Sequence, residues 1–142
     1  MKCVELMKTD LVCCNATDMV EDVALCMRSR NVGFVPICDA SGTAVGTLTD
    51  RDLAIRVLAE RRRPEHTRAG DVMTPGVVSC SADAELSECE QLMSKHKISR
   101  VLCLDEKQRP VGVISLSDVA ERETAGKASA ILRSVSQREA RS

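Results

Sequence analysis

GTLTDRD, residues Gly46 to Asp52, and GVISLSD, residues Gly112 to Asp118, carry a glycine, a strand-forming pair, a hydroxyl and a carboxylate at one spacing, 66 positions apart. In each stretch the hydroxyl and the acid stand three residues apart, as Thr49-x-x-Asp52 and Ser115-x-x-Asp118. That is a capping box: the hydroxyl accepts a first-turn N–H while the acid reaches back to the N–H of the cap residue. Each stretch therefore reads as a strand running directly into a helix, with a cap that contributes about 0.5 to 2 kcal/mol. The glycines need a separate reason, because glycine weakens a strand unless a second backbone or a ligand approaches closely.

The same shift aligns residues 7–56 with 73–122 without a gap, and about a dozen of the roughly fifty pairs are identical. Met7/Met73, Val12/Val78, Cys14/Cys80, Met27/Met93, Val35/Val101 and Asp39/Asp105 are among them. The joint falls in AERRRPEHTRAG, where Pro64 and Gly70 interrupt a charged stretch. Within each unit, residues 11–13 and 77–79 read as short strands. Thr17 or Asp83 then stands in position to cap a helix with apolar positions at Val20, Val23, Ala24 and Met27, answered by Leu86, Cys89 and Met93. Second strands follow at 34–38 and 100–104, third strands at 44–48 and 111–114, and a second helix begins at Thr49 or Ser115. The order is β-α-β-β-α twice, each unit too small to bury its own faces.

Composition narrows the chemistry. The 142 residues are 44% hydrophobic, yet Phe34 is the sole aromatic, so the core is built from aliphatic residues, Met and Cys, and no aromatic platform for single-stranded nucleic acid is available. A net charge of -1 removes any global attraction to nucleic acid or an acidic membrane. No apolar run reaches the roughly 18 to 20 residues of a membrane span, and the charged start MKCVELMKTD lacks a signal-peptide core. The expected location is cytoplasmic. Eight cysteines without Cys-x-x-Cys or paired Cys/His spacing are then expected to be reduced, several of them serving as small core hydrophobes, with no metal site. His66 and His96 have no nucleophile or metal partner nearby in sequence, Cys13-Cys14 reads as ordinary thiols rather than a redox pair, and Arg61-Arg62-Arg63 reads as a solvated linker. No catalytic constellation is present, and an enzyme is not expected.

Two β-α-β-β-α repeats carrying G-h-h-[ST]-x-x-D at the third-strand to second-helix junction resemble a tandem CBS (cystathionine beta-synthase) domain pair, the Bateman module. The resemblance runs over residues 4–123 and includes GFVPICDASGTAVGTLTDRDLA and ISRVLCLDEKQRPVGVISLSDVAERE. It implies a mixed α+β fold of two repeats packed with pseudo-twofold symmetry, residues 4–60 and 71–124, joined by a linker at 61–70. Residues 125–142 form a C-terminal tail expected to hold a partly ordered helix.

By that resemblance the module is a stand-alone regulatory sensor that binds AMP, ADP or ATP, with S-adenosylmethionine as a further candidate, and signals to a partner in trans. The alternative is a structural or dimerisation module without a nucleotide ligand. No cofactor is required. The first implied site comprises Asn15, Ala16, Val32, Gly33, Phe34, Thr47, Thr49, Arg51, Asp52 and, reaching over from the second repeat, Arg100. The second comprises Ser81, Ala82, Ile98, Ser99, Val113, Ser115, Ser117 and Asp118. In each, the acid would hold the ribose hydroxyls and the hydroxyl residue would face phosphate. Arg100 has Phe34 as its counterpart, so the Asp52 site is expected to favour phosphorylated ligands. A homodimer through the second helices, around residues 53–58 and 119–122, completes the expectation, with no nucleic acid and no membrane as partner.

Overall fold

The computed structural model describes residues 1–122 and 125–140. In chain order the elements are α1 Cys3–Leu6, β1 Cys14–Asn15, α2 Val20–Arg30, β2 Phe34–Cys38, β3 Ala44–Thr49, α3 Asp50–Leu53 continuing as a π-helical turn Ala54–Leu58, and a 3-10 turn Pro64–His66. Then come α4 Ala69–Val72, β4 Thr74–Pro75, β5 Ser79–Ser81, α5 Leu86–His96, β6 Arg100–Leu104, β7 Pro110–Ser115, α6 Leu116–Arg122 and α7 Ala125–Ala140. Mixed α+β architecture with two sheets is thus the fold.

The chain divides into two compact units, and neither is simply one repeat. One holds Leu11–Val77 with Lys107–Pro110; the other holds Met1–Asp10, Val78–Glu106 and the chain from Val111 onward. In the first unit the sheet order is β1-β2-β3-β4, with β1 parallel to β2 and the remaining pairs antiparallel. In the second the order is β5-β6-β7, β5 lying parallel to β6. Val20, Val23, Met27, Val35, Ile37, Leu48, Val57, Ala69 and Val72 form the core of the first unit. Cys3, Cys80, Leu86, Cys89, Met93, Val101, Cys103, Ile114, Val119 and Ile131 form that of the second.

Each unit is completed by a lead-in segment that precedes the other repeat in sequence. In the first unit, Val20 N–H donates to the Thr67 carbonyl (2.8 Å), Ala69 N–H to Asp18 (2.7 Å) and Gly70 N–H to Ala16 (2.9 Å). In the second, Leu86 N–H donates to Met1 (2.8 Å), Cys3 N–H to Ala84 (2.9 Å) and Val4 N–H to Ala82 (2.8 Å). These bonds correct the expected caps. Met19 and Glu85, not Thr17 and Asp83, occupy the N-cap positions of α2 and α5, without side-chain capping, because a carbonyl of the lead-in segment already takes a first-turn N–H. The first strands also start two or three residues later than 11–13 and 77–79, since pairing begins only where Cys14 meets Ile37 and Ser79 meets Leu102. Both α2 and α5 end on a left-handed C-cap, Asn31 at φ 54° and Lys97 at φ 55°.

The capping-box glycines now have their reason. A Cβ on Gly46 would lie 2.5 Å from Met73 Sδ and 2.6 Å from the Thr74 carbonyl; one on Gly112 would lie 2.5 Å from Met7 Sδ. A second backbone segment, with its methionine, approaches each strand. Beyond α6, the expected tail helix forms as α7, which seats Ile131 and Val135 in the second unit's interior.

Candidate functional site

The capping boxes form as the spacing requires. Asp52 N–H donates to Thr49 Oγ1 (3.1 Å) and Thr49 N–H to Asp52 Oδ2 (3.0 Å); Asp118 N–H donates to Ser115 Oγ (3.3 Å) and Ser115 N–H to Asp118 Oδ2 (3.0 Å). In both, one carboxylate oxygen is committed to the cap and the other faces a cation. Asp52 Oδ1 lies 3.6 Å from Arg56 Nη2, and Arg56 Nη1 donates to the Val72 carbonyl at 2.8 Å. Asp118 Oδ1 lies 3.4 Å from Lys8 Nζ. Burial pushes the Asp118 carboxyl up, but the Ser115 N–H and hydroxyl and the Lys8 ammonium outweigh it and hold the group below its ordinary value.

The two junctions differ in access. The Asp52 side chain is 16% exposed and that of Asp118 8%. Around the first junction, Asp50 N–H donates to the Gly33 carbonyl (3.0 Å), and a Cβ on Gly33 would meet Asp50 Oδ2 at 2.7 Å, so the backbone stays bare there. Phe34 pairs with Thr49 in register, and Thr47 pairs with Thr74. Around the second, Leu116 N–H donates to the Ser99 carbonyl (2.8 Å), Lys8 bridges Val113, and the Ser115 and Ser117 hydroxyls lie 2.8 Å apart. Val32 and Ile98, half-buried, close α2 and α5 with N–H bonds to Met27 and Met93. Gly33, Phe34, Thr47, Thr49 and Asp52 therefore gather at one end of β2–β3, and Ser99, Val113, Ser115 and Asp118 at the matching end of β6–β7. Arg51 and Ser117 are exposed, and Arg100 begins β6 as an exposed residue of the second unit.

Asn15 and Ala16 are placed elsewhere. Asn15 pairs with Cys38, and Ala16 N–H donates to the Cys38 carbonyl (2.9 Å), at the far end of a strand from Phe34, about 13 Å away at the usual rise. Ser81 and Ala82 stand in the same relation to β6, bonded at Leu104. A cavity of about 310 Å³ opens at this far end of the first unit, lined by Asn15, Cys38, Asp39, Gly42 and Arg109 among others, and Thr49 and Asp52 are not part of it. Lys8 and Val72 were not legible as site neighbours, because strand pairing and helix docking bring them in; for Arg56, left out of the expected site, the four-residue spacing from Asp52 is the signal that could have found it.

The remaining titratable candidates are not among the residues gathered at the two junctions. His66 and His96 are exposed, and burial pushes the Cys14 thiol up to about 12 and the Cys38 thiol up to about 11. Val57 and Val119, expected on open helix faces, are buried, whereas Ile55 and Leu58 are 47% and 77% exposed. Among the described residues, no helix is long and apolar enough to cross a membrane.

The CBS domain family model matches residues 3–59 and 69–124, which together span most of the 142 residues. The chain belongs to the CBS domain family. This CBS pair is 36% identical over 120 residues to the uncharacterized protein YlbB of Bacillus subtilis, covering 84% of this chain and 80% of that one. Among solved structures, hypoxic response protein 1 of Mycobacterium tuberculosis, crystallised with two coordinated zinc ions, is similar at 27% identity and a TM-score of 0.77, over 87% of this chain and 100% of that one. The CBS pair of MJ0100, solved with 5′-methylthioadenosine and S-adenosylmethionine, shares the fold at 23% identity and a TM-score of 0.74, over 85% and 98%. The cytosolic domain of the Mg2+ channel MgtE, solved with ATP, matches at 26% identity and a TM-score of 0.71, over 82% of this CBS pair and 46% of that chain.

Proposed function

We propose that this CBS pair is a regulatory, non-enzymatic module that binds an adenine nucleotide at its capping-box junctions, the Asp52 junction first, and passes the bound state to a partner protein. One observation carries the reading: each box spends a single carboxylate oxygen on the cap, and Asp52 keeps the other, partly exposed, against only a long ion-pair contact to Arg56. A ribose diol takes such an oxygen, and the Thr49 hydroxyl, which accepts from Asp52, still has its own proton to donate toward phosphate. MgtE, related in fold and sequence, was solved with ATP. The Asp118 junction is more enclosed and its free oxygen is held by Lys8, so it binds more weakly. Exposed Ile55 and Leu58 support a homodimer through this helix.

Calorimetric titration of AMP, ADP, ATP, adenosine and S-adenosylmethionine tests the reading. Asp52→Asn keeps an oxygen for the Thr49 N–H while removing the charge. A loss of about 1.5 to 3 kcal/mol in nucleotide affinity, with folding intact, is expected. No heat with any adenine compound would leave the structural module as the better reading, and light scattering at micromolar concentration reports the dimer.

A further inference from the structure

The interior of the second unit contains a group of thiols that the nucleotide reading does not use. Cys3 opens α1, Cys80 and Cys103 are register partners on the parallel strands β5 and β6, and Cys89 faces them from α5. Cys3, Cys89 and Cys103 are fully buried and Cys80 is 6% exposed. The sulfurs of Cys3, Cys80 and Cys103 all lie within 4.8 Å of one another, with Cys3 and Cys80 at 3.6 Å. Cys89 packs in the same buried cluster, near enough to Cys80 for the two thiols to shift each other's titration.

Core packing by itself does not call for this. The 66-residue repeat supplies an internal control, because Ala69, Cys14, Val23 and Ile37 are the counterparts of Cys3, Cys80, Cys89 and Cys103. Ala69, Val23 and Ile37 are likewise fully buried in the core of the first unit, with Cys14 packed against it. One fold thus fills the same junction once with three aliphatic side chains and a single thiol, and once with four thiols. The size of the sulfur triangle is informative as well. Four thiolates at the usual zinc–sulfur length of about 2.3 Å stand about 3.8 Å apart, close to the Cys3–Cys80 separation and within reach of small rotations for Cys103.

We propose that Cys3, Cys80 and Cys103, completed by rotation of Cys89, form a buried all-sulfur site for a thiophilic divalent d10 cation of the zinc class. The donor set excludes hard cations such as magnesium and calcium, which need oxygen. Ligation involves no redox change: one cation displaces four protons from four thiols, giving a tetrathiolate complex of charge -2 and four protons in solvent. Its mechanical consequence follows from chain position. Cys3 belongs to the lead-in segment, so the cation ties residues 1–10 to β5 and β6 and stabilises the second unit selectively.

Cadmium serves as the probe, since its thiolate complexes absorb in the near ultraviolet. Reduced, chelator-treated protein should take up one cadmium per chain with that absorption, take up zinc without it, and melt at a higher temperature when loaded with either ion. The triple variant Cys3→Ala/Cys89→Val/Cys103→Ile copies the residues of the first unit, which keeps a folded core accessible. It should remain cooperative in urea, lose the absorption and lose the metal-dependent rise in melting temperature. Cys13→Ser, an exposed thiol outside the cluster, should change none of these. Absence of the absorption in the reduced wild-type protein overturns the proposal, as does its persistence in a folded triple variant. So does a Cys3–Cys80 disulfide in the purified protein whose reduction leaves no metal uptake.

Discussion

At the scale of single residues, the repeated motif serves two separate physical demands. Its hydroxyl and acid satisfy the helix start, whereas its glycine makes room for a methionine and, at Gly46, a backbone carbonyl as well. Gly46→Ala should therefore destabilise the protein by about 1 to 3 kcal/mol, the usual cost of overpacking, because the Thr74 carbonyl it would strike belongs to a paired strand. Urea unfolding measures this, and an unchanged midpoint would refute the packing account. Asp118 offers a pH test. Its folded pKa is depressed, so its contribution is complete above the unfolded-state value of about 3.9 and is lost as pH falls through the lower folded value. Lys8→Ala removes one source of the depression. Its acid-unfolding midpoint should move to higher pH, and a midpoint unmoved or lowered contradicts the Lys8–Asp118 pairing.

At the scale of elements, the lead-in segments and α7 matter more than their polar sequences suggest. The lead-ins provide the carbonyls that take the first N–H groups of α2 and α5, which is why those helices dispense with side-chain caps. The helix α7 is anchored at Ile131, 4% exposed, and Val135, 3% exposed, on neighbouring turns. Ile131→Ala should cost about 2 to 5 kcal/mol, as truncations of buried aliphatics do, and Leu132→Ala, at a position 55% exposed, much less. Equal losses at the two positions would mean that α7 is held by something other than its apolar stripe.

At the scale of the molecule, the sequence repeat and the folding unit are offset by a lead-in segment. A fragment of residues 1–66 spans the first repeat yet lacks Thr67, α4 and β4, while residues 11–77 include all three. The second fragment should show the more cooperative urea transition and the greater protection of β3 amides from exchange. If residues 1–66 fold equally well, the lead-in bonds are dispensable.

How much of this was legible follows from the range of each interaction. Both capping boxes, the second and third strands of each repeat, and the apolar faces of α2 and α5 came from spacings within about ten residues, where backbone geometry alone dictates the pattern. The CBS family itself was legible in the doubled motif and is borne out by the family match. Placing Asn15 and Ala16 beside Phe34 was beyond local reading, because the parallel register Cys14↔Ile37 sends them to the opposite strand end. The partners of the motif glycines, the Lys8 contact to Asp118 and the gathering of Cys3, Cys80 and Cys103 were hidden for the same cause. Local spacing determined the repeated strands and helices and the caps of α3 and α6. Tertiary structure alone decided which distant residues meet at them, since strand pairing and core closure join positions up to about a hundred residues apart that no periodicity connects.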